Sequence, residues 1–185
     1  NKLCSKSDVK DKLIIKNGRA KILKKIGEIV VKEVGNVYSI NSDMPNTTYV
    51  KIYSILKDNP SIEVVIDLHR DGVAEGTHLV TEVDGRQTAQ IMFFNGLSRT
   101  RANGNISYLP NPYLEDNLAF SLQMEIAAAK YYPGFARHIF LRAYRYNMHF
   151  KPKTLLVEAG AQTNTVEEMR NAMELLAELL HQVLS

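Results

Sequence analysis

Two apolar runs of the chain end in side chains that could carry out chemistry. VVIDLHRDG (64–72) passes from β-branched residues to ionisable ones, among them Asp67 and His69, and LLVE (155–158) ends in Glu158. A carboxylate at the end of a buried strand is costly unless it has a partner or a raised pKa. A strand end would also hold an imidazole rigidly, as a metal ligand requires. The pattern therefore indicates His69 as a candidate metal ligand and Glu158 as a candidate acid–base group.

Both residues also have a purely structural interpretation. A lone histidine is more often a structural residue than a ligand, because a metal site needs three or four ligands. Glu158 is equally compatible with an ion pair to Arg142 or Arg145. Spacing alone leaves both interpretations open.

One kinase-like triplet can be tested against its full motif. His69, Arg70 and Asp71 resemble the catalytic loop of protein kinases, which needs an Asn five positions after its Asp. This chain has Gly76 there, and it lacks the glycine-rich loop and the strand lysine motif as well. The kinase interpretation is therefore rejected.

The other histidines give weaker signals. His149 lies upstream of Glu158 in the chain and is retained as a spare ligand. His78, His138 and His181 show no mutual spacing of the kind that metal clusters have.

Strand-like and helix-like patterns alternate along the chain, which predicts an α/β fold with three layers: a mostly parallel sheet flanked by helices. No linker or internal repeat interrupts the pattern, so residues 1–185 are expected to form a single domain. Strands are predicted where apolar residues run together, and helices where they recur at helical spacing. The predicted strands cover 12–16, 37–40, 63–69, 138–146 and 154–160, and predicted helices cover 19–34 and 46–60.

Two more helices are predicted in the C-terminal half. One carries Leu118, Leu122, Ile126 and Ala129 on its apolar face and stops at Pro133-Gly134. The other begins with a capping box formed by Thr165 and Glu168. Its apolar stripe consists of Met169, Met173, Leu176, Leu180 and Val183.

Turn signals divide the middle of the chain. Asp84-Gly85 predicts a hairpin within 77–94, because glycine tolerates the positive φ that such turns need. The stretch 97–113 is rich in turn formers and is predicted to be a loop. The aromatic-rich segment 130–150 is predicted mainly to pack in the core, with a ligand-stacking surface as the alternative.

Composition excludes several classes of function. The net charge is only +3, so nucleic acid is not the expected partner, although a mildly basic face would suit an anionic polymer such as a cell wall. The single cysteine, Cys4, excludes an internal disulfide framework. No run of 18 apolar residues occurs, and the N-terminus at Asn1 has neither an initiator Met nor a signal segment. We therefore expect a soluble fragment of a longer protein.

Four segments of the chain resemble the stage II sporulation protein P family. They are NPSIEVVIDLHRDG (59–72), QIMFFNG (90–96), LEDNLAFSLQMEIAAAKYYPGFARHI (114–139) and RYNMHFKPKTLLVEAGAQTNTVEEMRNAMELLAELL (145–180). The resemblance runs in order from about Arg19 to the C-terminus. These proteins are peptidoglycan hydrolases related to the zinc N-acetylmuramoyl-L-alanine amidases, so the resemblance implies an amidase/phosphorylase-hydrolase-like fold.

The resemblance also implies a site and a biological setting. Two histidines and a glutamate would hold zinc at the carboxyl edge of the sheet; His69 matches a zinc ligand and Glu158 matches the catalytic glutamate. Such an enzyme cleaves the amide bond between muramic acid and the first alanine of the stem peptide, and related enzymes also cut peptide cross-links. The implied setting is sporulation engulfment, between mother cell and forespore, with the full-length protein tethered to the membrane by an N-terminal anchor that is absent from this fragment. The implied partner is the lytic transglycosylase stage II sporulation protein D.

The chain departs from the family pattern in its first strand. The family carries His-Thr-His followed by Glu at the end of that strand, whereas no histidine precedes His69 here. The corresponding strand is either 12–16, which ends at Asn17-Gly18 without a ligand, or it lies upstream of Asn1. Three hypotheses follow: a zinc amidase, a degenerate metal-free wall-binding or scaffold domain on the same fold, and an unrelated metal-dependent hydrolase of small amides.

Overall fold

The computed structural model describes residues 56–185 and the backbone of two short strands nearer the N-terminus. These strands, β1 (Leu13–Lys16) and β2 (Arg19–Ile22), pair antiparallel in a sheet of their own. β1 confirms the strand predicted at 12–16. β2 shows that the helix predicted from Arg19 is wrong at its start, because Asn17-Gly18 is a hairpin signal that outweighs the apolar spacing.

The remaining predictions for the N-terminal third lie mostly outside the described residues. These are the rest of the helix at 19–34, the strand at 37–40 and most of the helix at 46–60. Residues 56–58, at the end of that last helix, are helical.

Strands and helices alternate through the rest of the chain. They are β3 (Val65–Asp71), β4 (Val80–Val83), β5 (Arg86–Ala89), β6 (Ile91–Gly96), β7 (Arg99–Thr100), β8 (Gly104–Asn105), α1 (Leu114–Tyr131), β9 (Ala136–Arg142), β10 (Thr154–Ala161) and α2 (Val166–Leu184).

The central sheet has four strands in the order β3-β10-β6-β9. β10 runs parallel to β3 and β9 runs parallel to β6, while β6 and β10 are antiparallel. The sheet is therefore mixed but mostly parallel, and the predicted α/β fold with flanking helices is confirmed. As a result, β3 and β10 end at one end of the sheet, and β6 and β9 end at the opposite end.

Alternation along each strand gives the sheet two different faces. One face packs against α1 and α2 in the main core, which includes Ile91, Phe93, Leu155, Val157 and Ala159 from the sheet. The other face carries His69, Glu158 and a small cluster of Met92, Phe94, Met148 and Leu156. Both described helices thus cover the apolar face. We call the second face, which neither of these helices covers, the open face; the segment after β9 crosses part of it.

The two helices differ in how well their sequences predicted them. The capping box of α2 is confirmed: the Glu168 N–H donates to Thr165 Oγ1, and the Thr165 N–H donates to Glu168 Oε2. The apolar face predicted for α1 is wrong, because Leu122 and Ile126 are 52% and 59% exposed. The buried face of α1 instead carries mostly small and polar side chains around two large ones: Asn117, Phe120, Ser121, Met124, Ala127 and Ala128.

The middle of the chain follows its turn signals. β4 and β5 form the predicted hairpin, with Asp84 and Gly85 both at positive φ. The loop at 97–113 contains the small pairing of β7 with β8. The aromatic segment is less buried than predicted: Phe135 is fully buried, whereas Tyr144 is 56% exposed, since β9 ends at Arg142 rather than at residue 146.

Candidate active site

His69 and Glu158 are neighbours across two adjacent parallel strands. β3 and β10 pair in register with Glu158 beside His69, so both side chains project from the same face near the carboxyl end of their strands. The row continues to Met92 on β6 and Arg137 on β9. The sheet therefore brings together the two candidate residues predicted from the sequence, although they are far apart in the chain.

A carboxylate and an amide hold the His69 ring. His69 Nε2 lies 2.7 Å from Asp67 Oδ1, two residues earlier on the same face of β3. Asn147 Nδ2 donates to the other oxygen of Asp67 at 3.1 Å. Because Nε2 is bound to Asp67, the Nδ1 atom is the nitrogen of His69 that is left for a ligand.

An ion pair spans the same face. Arg137 Nη2 lies 2.7 Å from Asp71 Oδ2, although β9 and β3 are the two outer strands of the sheet. The Arg137 guanidinium also lies close enough to Glu158 to stabilise its charged form. Glu158 Oε2 is buried and has no hydrogen-bond partner among the residues that the structure describes.

The surroundings move both key pKa values upward. Burial raises the pKa of the Glu158 carboxyl; the charges of Asp71 and Asp67 add to this, and His69 and Arg137 oppose it. Burial lowers the pKa of the His69 imidazole, but the hydrogen bond and charge of Asp67 and the charge of Glu158 outweigh it, so the pKa is raised. A carboxyl with a raised pKa is suited to giving up and taking back a proton near neutral pH.

The segment after β9 crosses over this face of the sheet. A Cβ atom on Gly96 would lie 2.3 Å from the Tyr144 carbonyl oxygen, so only glycine allows the backbone to pass so closely. Tyr146 then packs edge-on against Phe94, with ring centroids 4.7 Å apart. Tyr146 and Asn147 both adopt positive φ (45° and 64°), a conformation that costs energy for residues other than glycine. That strained corner is what places Asn147 on Asp67.

The loops after β3 and β10 are fastened to each other. The Val73 N–H donates to Gln162 Oε1 at 3.1 Å, and the Gln162 amide donates back to the Val73 carbonyl. Arg70 Nη2 donates to the Asn164 carbonyl at 2.8 Å. These bonds fix the rim of the site at the point where the two strands end.

The remaining histidines lie elsewhere. His149 packs against Phe150, and burial together with the charge of Arg145 lowers its pKa to about 4. His78 binds Glu168, and His181 binds Ser185. His138, on β9, lies near Glu125. None of these contacts involves His69.

The fit of a zinc ion to these residues is partial. Within residues 56–185, no three His, Cys, Asp or Glu side chains are grouped so that they could hold a metal ion. A catalytic zinc takes three protein ligands and keeps one position open. His69 is chemically suitable as one ligand, but the described residues do not form a complete zinc site.

Sequence reasoning missed three residues of this cluster. Arg137 is the arginine beside Glu158, not Arg142 or Arg145: Arg142 lies over the Phe140 ring and Arg145 donates to the Pro110 carbonyl. The sequence predicts this strand from His138, whereas β9 begins at Ala136, so Arg137 lies just outside the predicted strand. Asn147 gave no signal, since its position depends on a connection that crosses the sheet. Asp67 was seen only as a polar strand end.

One solved structure that the chain resembles is the apo form of Ami1, an N-acetylmuramyl-L-alanine amidase from Mycobacterium abscessus, with 16% identity and a TM-score of 0.43. The match covers 73% of this chain and 60% of the amidase chain. A search among curated proteins finds no match.

Two further findings concern membrane spans and family membership. No helix in the described part is both long and apolar enough to cross a bilayer. The sequence model of stage II sporulation protein P matches residues 24–181, which is most of the chain. The chain therefore belongs to the stage II sporulation protein P family.

Proposed function

We propose that the protein is a peptidoglycan hydrolase that cleaves the N-acetylmuramoyl-L-alanine amide bond during sporulation. The observation that carries the proposal is the pairing of His69 with Glu158 on adjacent parallel strands, within a charged cluster on the open face of the sheet. Family membership supports a role in sporulation. Action on peptide cross-links remains part of the same proposal, since both bonds are amides.

Glu158 is the proposed acid–base group. Its buried Oε2 has no hydrogen-bond partner in the described part of the chain, and its raised pKa favours proton exchange near neutral pH. It would take a proton from the attacking water and return it to the leaving alanine amine. Arg137, held by Asp71, would keep the carboxylate charged between these transfers.

His69 is the proposed metal ligand, through Nδ1. Asp67 and Asn147 would fix its ring, as carboxylate partners do for ligating histidines. Bound zinc would supply a water with a pKa near ~7 and would polarise the amide carbonyl. The other zinc ligands are expected outside residues 56–185.

A second candidate function has a specific observation in its favour. The described residues contain no complete group of metal ligands, as a metal-free domain that binds the wall or serves as a scaffold would. Such a domain would bind peptidoglycan without releasing product. Membrane tethering between mother cell and forespore, and partnership with stage II sporulation protein D, are proposals that both candidates share.

Product analysis distinguishes the two candidates. The full-length protein is incubated with purified peptidoglycan and equimolar zinc, and new amino groups and new reducing sugar ends are counted. We expect new alanine amino groups without new reducing sugar ends, loss of activity with a chelator, and recovery on adding zinc back. Binding with no new ends in the presence of zinc would contradict the amidase and support the scaffold.

A further inference from the structure

The charges of the chain are distributed unevenly. No Asp or Glu occurs between Asp84 and Glu115 or between Glu125 and Glu158. The same two stretches carry the cationic residues Arg86, Arg99, Arg101, Lys130, Arg137, Arg142, Arg145, Lys151 and Lys153. A net charge of +3 therefore conceals a strongly basic region.

The fold brings a part of each stretch together at one end of the sheet. β6 pairs with β9, and beyond them the Leu97 N–H donates to the Arg142 carbonyl and the Arg99 N–H to the Ala143 carbonyl, at 2.8 and 2.9 Å. Arg145 is tied to the neighbouring loop through the Pro110 carbonyl at 3.3 Å. We call the resulting cluster of Arg99, Arg101, Arg142 and Arg145 the basic end. It lies at the end of the sheet opposite to the one that carries His69 and Glu158.

The arginines of the basic end are available to a ligand. None of the four forms an ion pair with a residue of the described part, in contrast to Arg137, which is bound to Asp71. Arg99, Arg101 and Arg142 are exposed. Glu115 and Asp116, in the first turn of α1, form no ion pair with these arginines within the described part of the chain. Guanidinium groups without an ion-pair partner suit carboxylates, which they bind in a bidentate manner.

Exposed aromatic rings accompany the charges. Tyr108 is 75% exposed and Tyr144 is 56% exposed, and both lie in the loops that form the basic end. Arg142 stacks 4.8 Å from the centroid of the half-exposed Phe140 ring, which in turn contacts Phe94 on the open face. Aromatic rings beside cations are typical of surfaces that bind a partner rather than of a merely solvated face.

The distance between the basic end and the end that carries Glu158 restricts the size of the ligand. Arg137 and Arg142 are five residues apart on β9, which is roughly 17 Å at a rise of about 3.3 Å per residue. A small amide at Glu158 could not reach the basic end, whereas a polymer chain is long enough to contact both.

We propose that the basic end binds stem-peptide carboxylates of the same peptidoglycan strand whose amide bond is presented to Glu158. This inference rests on the proposed function for its choice of polymer. The basic end then favours polymeric over short substrates, and it contributes to binding rather than to the chemical step.

Binding to insoluble peptidoglycan stripped of its phosphate polymers tests the inference. The variant R99Q/R142Q is compared with K130Q/R170Q, which also removes two exposed cations but lies away from the basic end. We expect about tenfold weaker binding for R99Q/R142Q, little change for the control, and a loss of wild-type binding between 0.1 and 1 M salt. A charge-preserving R99K/R142K variant should recover most of the binding. If R99Q/R142Q does not fold, R99Q/R101Q, confined to an exposed turn, replaces it.

Equal binding by R99Q/R142Q and by the control overturns the inference. A defect seen only on walls that keep their phosphate polymers overturns the carboxylate assignment. Binding is measured without turnover, so a wild-type chain that binds through the basic end but releases no product contradicts the proposed function and not this inference. In an active chain, the ratio of kcat/KM for polymer to that for a short muropeptide should fall in R99Q/R142Q.

Discussion

The two faces of the central sheet are built from alternating residues of the same strands, and they serve different purposes. On β10, Leu155 and Val157 face the helices and are fully buried, while Glu158 faces the charged cluster. The helix-covered face consists of apolar contacts, whose free energy follows the buried area. The open face instead carries Glu158 Oε2, a carboxyl oxygen without a hydrogen-bond partner in the described part of the chain. It also carries the backbone at positive φ around Asn147 and the ion pair of Arg137 with Asp71 across the sheet. The difference shows that one face holds the fold together, and we propose that the other carries the chemistry.

The largest effect should come from Glu158 itself. Glu158→Gln preserves size but removes the proton shuttle, so hydrolysis should fall by about 10²–10⁴-fold while the free energy of unfolding changes little. The control is Glu167→Gln, which removes an exposed carboxylate on α2. Hydrolysis rates and chemical denaturation measure both quantities. Full turnover by Glu158→Gln would remove the chemical role of the open face.

A core substitution on the same strand should have the opposite profile. Leu155→Ala leaves a cavity beneath the helices and should lower the free energy of unfolding by about 2–5 kcal/mol. Hydrolysis per folded molecule should be nearly unchanged. A selective loss of rate with unchanged stability would show that the two faces are not separate in function.

Asn147 tests whether the strained corner serves the site. Asn147→Gly keeps the left-handed backbone but removes the hydrogen bond to Asp67, the carboxylate that holds the proposed ligand His69. Activity should fall by about 10–100-fold, the range for outer partners of a metal-ligating histidine. Lys153→Gly is the matched control, because Lys153 also has positive φ (59°) and is exposed. Stability should not fall with activity, since glycine relieves backbone strain. Equal rates for the two variants would assign Asn147 a structural role alone.

The smallest expected effect is a pH dependence on the helix side. Burial alone would raise the pKa of Glu168, but its hydrogen bonds with His78, Asn164 and the Thr165 N–H outweigh burial and lower it. The stabilisation is therefore complete above the unfolded pKa of about 4.3 and is lost as the pH falls through the lower folded value. Glu168→Gln should have a lower free energy of unfolding than the wild type at pH 7, and the difference should narrow below pH ~4, as measured by chemical denaturation. A difference that stays constant at acidic pH would contradict a lowered pKa for Glu168.

The fold was predictable wherever local signals and tertiary packing agree. The capping box of α2, the Asp84-Gly85 hairpin and the buried run before Glu158 specified their elements correctly. The face of α1 was not predictable, because small residues such as Ala127 and Ala128 pack against the sheet while Leu122 stays exposed. Periodicity reports an apolar stripe but not which side of a helix meets the sheet.

The site was predictable only in part. His69 and Glu158 could be identified because polar residues at the ends of buried strands stand out in a sequence. Their partners could not, since Arg137 reaches Asp71 across two intervening strands and Asn147 arrives through a connection that crosses the sheet. Such contacts depend on strand order, which local sequence does not encode.

A double-mutant cycle on His69 and Glu158 tests the central claim most directly. His69→Ala, Glu158→Gln and the double variant are assayed for release of alanine amino groups from peptidoglycan with zinc present. If the two side chains act as one catalytic unit, the double variant should be about as slow as the slower single variant, because residues that act together are not additive. Rate losses that multiply in the double variant would show independent roles and contradict the account.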